Sequence, residues 1–343
     1  MPAEQPRASN TTARLSLVIP LFNEERGIPH LLERIEPVLA ATELDFELIA
    51  VDDGSTDATF AAIATAHARN ERIKGVALSR NFGKEIAVAA GLRHATGDAV
   101  IIMDGDLQHP PELIPELIAK WREGYDVVFA ERTDRNTDGR IRRHLARLYY
   151  RAFRSLSGTR LHHNAGDFRL LSRRAVDAVN RIGERARFNK GLFAWIGFKS
   201  VGVPFTVAER EGEPGSRWHM RRLWHFALDG IASFTTIPLR IWSYLGLMIS
   251  LIALVFGFFI IAKTLIVGEP VAGYPTLIVS ILFLGGIQLI SLGVIGEYLG
   301  RVYDEVKARP LYLVGDTVGI APVEPTALPP LASNPAPTRE GHP

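Results

Sequence analysis

The sequence predicts an α/β domain built on a doubly wound, mostly parallel sheet, followed by a membrane-anchored segment. Short apolar runs alternate with helix-length segments between Leu15 and Ala130, which is the pattern of a parallel sheet covered by helices. Polar clusters follow the apolar runs, and ligands of such sheets bind at the carboxyl ends of the strands. Two later stretches, 241–267 and 274–296, are nearly charge-free and longer than the roughly 20 residues that cross a bilayer core.

Five strands and four intervening helices are expected in the α/β domain. The strands are Leu15–Pro20, Phe46–Val51, Ile73–Leu78, Ala99–Met103 and Asp126–Ala130. The helices are Ile28–Ala41, Ala58–Ala68, Glu85–Ala95 and Glu112–Glu123. Because strand and helix alternate at the spacing of right-handed crossovers, a parallel sheet is the default topology.

The composition limits the chemistry that the chain can perform. It contains no cysteine, which excludes thiol catalysis, disulfides and thiolate metal sites. Any metal ion must therefore be held by oxygen or imidazole ligands.

The strand at Ala99–Met103 is followed at once by Asp104-Gly105-Asp106-Leu107-Gln108. In an extended chain alternate side chains share a face, so Asp104, Asp106 and Gln108 are expected to point the same way. Three oxygen donors suit Mg²⁺ or Mn²⁺, which also take phosphate oxygens as ligands. The alternative is that the two aspartates only cap the helix that follows Pro110 and Pro111.

Asp52 and Asp53 follow the second strand, and they precede the residues expected to cap the next helix. They could accept hydrogen bonds from a base or from ribose hydroxyls, or they could belong to a plain turn. The first strand is followed neither by a G-x-G-x-x-G pattern nor by a Walker pattern. A diphosphate would therefore be neutralised by a metal ion and basic side chains.

Two further segments have open interpretations. Asp167 lies beside Arg169 in a strand-like segment, and on the residues alone a structural ion pair is the preferred explanation. The basic stretch from Arg132 to Arg154 predicts a helix with an apolar stripe. This helix has either a solvated basic face or a face against anionic lipid headgroups.

The second half of the chain predicts membrane attachment. A loop and interfacial amphipathic helix are expected at 211–240, before transmembrane helices at 241–267 and 274–296. Basic residues flank the two spans but are missing from the segment that connects them. The positive-inside rule therefore predicts a multi-pass hairpin in the cytoplasmic membrane, with the α/β domain and both termini cytoplasmic. Helices buried in a soluble core are the alternative. Small residues in the second span are compatible with self-association.

The remaining boundaries follow from composition. The α/β domain is expected at 14–210 and a cytoplasmic juxtamembrane segment at 297–320. Residues 1–13 and 321–343 are polar or rich in proline and alanine, and both are expected to be disordered.

Six motifs occur together in one order along the chain. They are Pro20-Leu21-Phe22-Asn23-Glu24, Val51-Asp52-Asp53-Gly54-Ser55, Ser79-Arg80-Asn81-Phe82-Gly83-Lys84, Asp104-Gly105-Asp106-Leu107-Gln108, Gly166-Asp167-Phe168-Arg169-Leu170 and Gly296-Glu297-Tyr298-Leu299-Gly300-Arg301. With them the chain resembles the polyprenyl-phosphate glycosyltransferases of glycosyltransferase family 2 over 14–314. The resemblance implies a GT-A fold, a nucleotide-sugar donor, Mg²⁺ or Mn²⁺, a polyprenyl-phosphate acceptor in a membrane, and no nucleic-acid partner.

The resemblance also implies roles for particular residues. The metal ligands would be Asp104, Asp106 and Gln108, and the donor site would contain Pro20, Asn23, Glu24, Asp52, Asp53, Asp104 and Arg132. Asp167 and Asp106 would be the catalytic residues, and Arg169 and Arg217 would lie at the acceptor phosphate, as would Asp167. One departure concerns the loop before the interfacial helix, where the family's Ser-Lys pair is replaced by Ser216-Arg217. Arginine keeps the charge but presents a planar fork.

Two rival functions remain at this point. A processive polysaccharide synthase shares the aspartate signals, but the glutamine of its Gln-x-x-Arg-Trp motif is missing before Arg217-Trp218, and two helices make a poor pore. A catalytically silent membrane scaffold would bind no nucleotide sugar.

Overall fold

The computed structural model describes residues 13–132, 165–185, 187, 189–205 and 273–320, together with a few residues between 248 and 266. The chain divides into two compact units. One comprises 1–143, 160–214 and 308–343, and the other comprises 144–159 and 215–307. The sheet lies in the first unit, and the long C-terminal helix lies in the second.

The first unit contains an eight-stranded sheet within the described residues. Its strands in chain order are β1 Arg14–Leu21, β2 Asp45–Asp52, β3 Ile73–Leu78, β4 Ala99–Ile102, β5 Val127–Arg132, β6 Ala165–Ser172, β7 Ser200–Phe205 and β8 Val314–Val318. Their order across the sheet is β7-β5-β6-β4-β1-β2-β3-β8. The parallel strands β4, β1, β2 and β3 form the centre, which confirms the predicted Rossmann-like α/β class.

The sheet departs from simple parallel alternation at β6. This strand lies antiparallel between β4 and β5, pairing Arg169 with Ile102 on one side and with Phe129 on the other. The expected fifth strand therefore exists but does not adjoin the fourth. Strand order depends on pairing between distant segments, and the local pattern does not encode it.

Helices cover both faces of the sheet. They are α1 Ile28–Ala40, α2 Thr59–Arg69, α3 Lys84–His94, α4 Ile114–Arg122, α5 Arg173–Asn180 and α6 Asn189–Trp195, with a 3-10 turn at Pro111–Leu113. One core contains Ile35 of α1 and Leu117 of α4. The other contains Leu92 of α3 and Val176 of α5. Alternate residues of each central strand enter opposite cores, as for Leu17 and Val18, which explains the continuous apolar runs.

The strand β8 was not predicted. It pairs antiparallel with β3, with Val318 opposite Gly75, and the Ser79 N–H donates to the Leu313 carbonyl at 2.9 Å. Tyr312 just before it is buried in the core beside α3. Part of the expected juxtamembrane segment 297–320 therefore forms one edge of the sheet.

The second unit contains the helix α7, Tyr274–Val306. Its stretch Phe283–Val306 is long and apolar enough to cross a membrane, the only such helix among the described residues. Large side chains such as Leu289 and Leu292 are exposed on it. The expected second span thus coincides with an apolar helix. The first, 241–267, lies mostly outside the described residues, so the two-helix hairpin is unconfirmed. The interfacial helix and the basic stretch after Arg132 also lie outside them.

Candidate functional site

The loops after β1 and β2 are joined by hydrogen bonds at the carboxyl edge of the sheet. Asn23 has a left-handed backbone (φ 55°), and its N–H donates to the Ser55 Oγ at 2.8 Å. Its Oδ1 accepts from the Thr56 N–H at 2.9 Å. The Glu24 N–H donates to the Thr59 Oγ1 at 2.8 Å. Pro20 lies at the end of β1, so the expected donor residues of this motif lie on one loop.

Asp52 and Asp53 are both buried at the end of β2. Asp52 Oδ1 accepts from the Ser55 N–H at 2.9 Å. The Asp53 carboxylate accepts from the Phe82 N–H at 2.8 Å and from the Gly83 N–H at 2.9 Å. Asp53 therefore fixes the turn between β3 and α3.

Burial raises the pKa of Asp53, and the neighbouring Asp52 raises it further. The N–H groups of Phe82 and Gly83 oppose this change, but the pKa stays above its ordinary value. The carboxylate is thus held by geometry in a place where its charge is poorly solvated. Gly54 allows this close approach, because it has φ 66° and an added Cβ would lie 2.2 Å from the carbonyl carbon of Arg80.

The segment Asp104–Gln108 forms a turn instead of the extended chain expected from the sequence. The strand ends at Ile102, and Leu107 adopts a left-handed backbone (φ 53°). Asp106 Oδ1 accepts from the Gln108 N–H at 3.1 Å. The N-terminal turns after Pro110 have no side-chain cap, so the capping alternative is not supported.

Lys84 joins Asp104 to Asp167. Its Nζ lies 2.7 Å from Asp104 Oδ1 and donates to Asp104 Oδ2 at 2.9 Å and to Asp167 Oδ2 at 2.7 Å. Asp104 Oδ1 is shielded from solvent, and among the described residues it has no hydrogen bond, since its contact with the ammonium lacks hydrogen-bond geometry. Burial lowers the pKa of Lys84, but the carboxylates of Asp167 and Asp104 outweigh burial and raise it above its usual range.

Asp167 is held between two lysines. Lys190 in the first turn of α6 lies 3.1 Å from Asp167 Oδ1, and Lys84 binds Oδ2. Burial raises the pKa of Asp167, but the ammonium groups of Lys190 and Lys84 outweigh burial and hold the pKa well below its ordinary value. Asp167 is therefore an anion near neutral pH. Its ion pairs are with these lysines and not, as the sequence suggested, with Arg169.

Arg169 lies beneath this cluster and is buried. Its guanidinium donates to the Gly166 carbonyl at 2.7 Å and lies 4.5 Å from the ring centre of Phe193. Burial lowers its pKa, while Asp167 and Glu85 favour the charged form. In this arrangement the side chain supports the strand that carries Asp167.

His109 follows the turn and packs against two aromatic rings. Its ring centre lies 5.7 Å from that of Phe168 and 5.4 Å from that of Phe205. Its Nδ1 is buried without a hydrogen bond to any described residue. Burial lowers the pKa of His109, so the ring is neutral near pH 7 despite the nearby Asp104 and Asp106.

The donor set fits a hard divalent cation. Asp104 and Asp106 offer carboxylate oxygens and Gln108 an amide oxygen, as Mg²⁺ and Mn²⁺ prefer. Asp106 and Gln108 are exposed, and Asp104 Oδ1 is a buried oxygen whose described polar contact is the ion pair with Lys84. Within the described part of the chain, no three histidine, aspartate or glutamate side chains form a ready cage. A cation would thus depend on few protein ligands.

Two expected residues have no described side chain at the site. Arg132 ends β5, where its backbone pairs with Phe205, and nothing further is described for it. Arg217 lies outside the described residues.

Lys84 and Lys190 are the residues that sequence reasoning missed, although a signal exists. Each lies in the first turn of a helix, where the helix dipole disfavours a cation. A lysine there indicates an acidic partner.

The parallel centre of the sheet, with aspartates at the carboxyl ends of β2 and β4, is the arrangement of the GT-A, Rossmann-like fold. The chain belongs to glycosyl transferase family 2, whose family model matches residues 16–179.

Curated relatives match nearly the whole chain. An uncharacterized glycosyltransferase of Synechocystis is 50% identical over 310 residues, which cover 90% of this chain and 97% of the relative. A bactoprenol glucosyl transferase of Shigella phage SfII is 45% identical over 301 residues, which cover 88% of this chain and 97% of the relative.

Among solved structures, the chain is similar to glucosyl-3-phosphoglycerate synthase from Mycobacterium tuberculosis in complex with Mn²⁺, UDP-glucose and phosphoglyceric acid. The TM-score is 0.45 and the identity 22%, with 68% of this chain and 83% of that chain covered.

Proposed function

We propose that this glycosyltransferase moves a sugar from a nucleotide-diphosphate sugar to a polyprenyl phosphate at a membrane surface. The observation that carries the proposal is the similarity to the bactoprenol glucosyl transferase, which extends over 301 residues, well beyond the family match at 16–179. Because the relative is named for glucosyl transfer, a UDP-glucose-like donor is the first candidate, and a GDP-mannose-like donor is the alternative.

The proposed donor site lies on the β1 and β2 loops and the turn after β4. Asp52 is the best-placed group for a base or ribose hydroxyl, because its Oδ2 has no hydrogen-bond partner among the described residues. Asp53 acts differently, since both its oxygens hold the Phe82–Gly83 turn. Pro20, Asn23 and Glu24 are proposed to line the same site. Arg132 is proposed to approach the phosphates.

Asp104, Asp106 and Gln108 would hold Mg²⁺ or Mn²⁺. When bound there, the cation supplies charge neutralisation for the departing nucleoside diphosphate. The protein contributes two carboxylates, and the exposed position of Asp106 leaves it accessible to a cation that arrives with the donor.

In the proposed reaction, a phosphate oxygen of the lipid attacks the sugar C1 from the face opposite the diphosphate. The new C1–O bond forms as the C1–O bond to the diphosphate breaks, and the electron pair leaves with the diphosphate. Because the attacking phosphate is already anionic near pH 7, no strong base is required. Asp167, an anion held by Lys84 and Lys190, is proposed to orient the acceptor side of the site.

Arg169 and Arg217 are proposed to bind the acceptor phosphate. In the structure Arg169 is buried over Phe193, so this role requires the lipid phosphate to reach beneath Asp167.

The apolar helix α7 supports a membrane location. We propose that it is one arm of a hairpin whose other arm is 241–267, with the catalytic unit and both termini on the cytoplasmic side. A lipid acceptor that stays in the bilayer requires a catalytic cleft held at the headgroups, and a hairpin anchor provides this.

The test is to incubate membranes containing the protein with Mn²⁺ and a panel of labelled nucleotide sugars, and to extract the products. Label from one donor should enter the organic phase in a mild-acid-labile lipid. Label in a long water-soluble polymer instead would indicate a processive synthase. No transfer from any donor, with added polyprenyl phosphate present, would contradict the proposal.

A further inference from the structure

The carboxylate that the proposed cation requires is already in contact with Lys84. Both oxygens of Asp104 lie within 2.9 Å of the Lys84 Nζ. A divalent cation that ligated Asp104 would therefore share this carboxylate with an ammonium group. Like charges about 4 Å apart repel by about 1 kcal/mol in bulk water and by more near a protein surface.

Asp167 offers the lysine a second and independent anchor. The ammonium donates to Asp167 Oδ2 at 2.7 Å, and it has three protons on a flexible stem. Lys84 can therefore leave Asp104 while it stays bound to Asp167. Asp104 Oδ1 then gives up its 2.7 Å ion-pair contact with the ammonium, and this oxygen becomes available to the cation.

The backbone of Lys84 is fixed while its side chain is adaptable. Gly83 precedes it with φ 99°, and Asp53 holds the N–H groups of Phe82 and Gly83. The lysine thus begins α3 at a fixed point, with its ammonium in reach of both carboxylates. The side chain is partly exposed, which leaves it room to move.

We propose that Lys84 is a positioning residue that holds Asp104 in the cation-free protein and yields this carboxylate to the divalent cation, while it keeps Asp167 as its partner. The inference rests on the proposed function, since it takes the cation site to include Asp104 and Asp106. It means that the protein alone binds the cation weakly, because the lysine competes for the site.

Mn²⁺ binding without nucleotide tests this competition directly. The full-length protein in detergent is titrated with Mn²⁺, and free Mn²⁺ is measured by electron paramagnetic resonance. Lys84→Met removes the competing charge and should lower the Kd by about tenfold. Lys84→Arg keeps the charge and should stay near the wild type. A merely structural role would instead weaken Mn²⁺ binding in Lys84→Met, because the site would lose its order.

Lys190→Met is the matched control. It removes the same charge from Asp167, where Nζ lies 3.1 Å from Oδ1, but no described contact joins Lys190 to Asp104. Its Kd for Mn²⁺ should change by less than about threefold, as expected for a more distant and screened charge. If Lys190→Met increased the affinity for Mn²⁺ as much as Lys84→Met does, the effect would come from the overall charge of the site, and the inference would be overturned.

Further results distinguish a failure of the role of Lys84 from a failure of the proposed cation site. A folded Lys84→Met protein with unchanged or weaker Mn²⁺ affinity overturns the role of Lys84. Lys84→Gln keeps a hydrogen-bond donor for Asp167 and is measured in parallel in case Lys84→Met is unstable. The same gain in Mn²⁺ affinity is expected for it.

If the wild type binds no Mn²⁺, or if Asp106→Asn binds it equally well, the cation site of the proposed function fails and the inference fails with it. If Asp106→Asn loses binding but both Lys84 variants match the wild type, only the inference fails.

Discussion

The carboxylate of Asp53 accepts a hydrogen bond from the N–H of Gly83 at 2.9 Å. This contact joins the end of β2 to the residue that precedes α3, and therefore to the start of the helix that carries Lys84. A buried acid on one strand thus sets the position of a lysine at the next helix, and the lysine contacts acids from β6 and from the turn after β4.

Replacing Asp53 by asparagine should destabilise the protein and weaken donor binding together. An amide has a single oxygen, so the N–H of either Phe82 or Gly83 loses its acceptor, at a cost of about 1–3 kcal/mol. Thermal unfolding in detergent and the KM for the donor measure the two effects. Asp45→Asn, at an exposed acid that begins β2, is the control. Unchanged stability and KM in Asp53→Asn would contradict this account of the turn.

Replacing Asp106 by asparagine should reduce metal-dependent transfer by about 10²–10³-fold, the loss typical when one electrostatic group at a reacting centre is removed. Folding should be unaffected, because Asp106 is exposed and the Gln108 N–H can still bond an amide oxygen. Initial rates over a range of Mn²⁺ concentrations measure the loss.

The control for this variant is Glu116→Gln, which removes an exposed acid in the first turn of α4 and should leave the rate unchanged. Full activity of Asp106→Asn at saturating Mn²⁺ would remove Asp106 from the cation site.

The pH dependence of the transfer rate near neutral pH should contain no step that is caused by protonation of Asp167. Burial raises its pKa, but Lys190 and Lys84 hold the pKa below its ordinary value, so the carboxylate is ionised in the folded protein throughout pH 5 to pH 9. Rates of the wild type and of Asp167→Asn are compared over this range. The variant should be slower at every pH, with a profile of the same shape. A rise with pH in the wild type that the variant lacks would instead identify Asp167 as a general base.

Glu47 should make the protein sensitive to acid. It is fully buried in β2, where it accepts hydrogen bonds from Ser16, Lys74 and Thr96. Burial raises its pKa, but these hydrogen bonds outweigh burial and lower the pKa from 4.5 to about 2. A lowered folded-state pKa stabilises the folded protein above pH 4.5, and this stability, about 3 kcal/mol, is lost as the pH falls towards 2.

The check is the melting temperature of the wild type and of Glu47→Gln between pH 2 and pH 7. The variant should melt lower at pH 7, and the difference should shrink as the pH falls below 4.5, the ordinary value for this acid. A constant difference over the whole range would contradict the role of the Glu47 charge.

Local sequence patterns predicted the centre of the fold well. The strand Ile73–Leu78 was placed at its observed bounds, and β1, β2 and β4 were placed within a residue or two. These strands are buried on both faces, so their apolar runs are long and clear. The strand β8 was missed because Val314–Val318 is short and half exposed, and only its pairing with β3 makes it a strand.

The acids of the site were predicted better than the bases. Asp52, Asp53 and Asp104 follow apolar strands, so the topology alone brings them to one edge of the sheet. Lys84 and Lys190 come from two helices far apart in the chain, and their meeting at Asp167 depends on the antiparallel insertion of β6, which no local pattern encodes.

The position of β8 has a consequence for biosynthesis. The ribosome makes this strand after α7, so the hydrogen-bonding edge of β3 remains open until the apolar helix has left the exit tunnel. Nascent chains arrested before Val314 would present an unpaired edge, the kind of surface that recruits other strands. Chaperone dependence should therefore be greatest for chains arrested just short of that point.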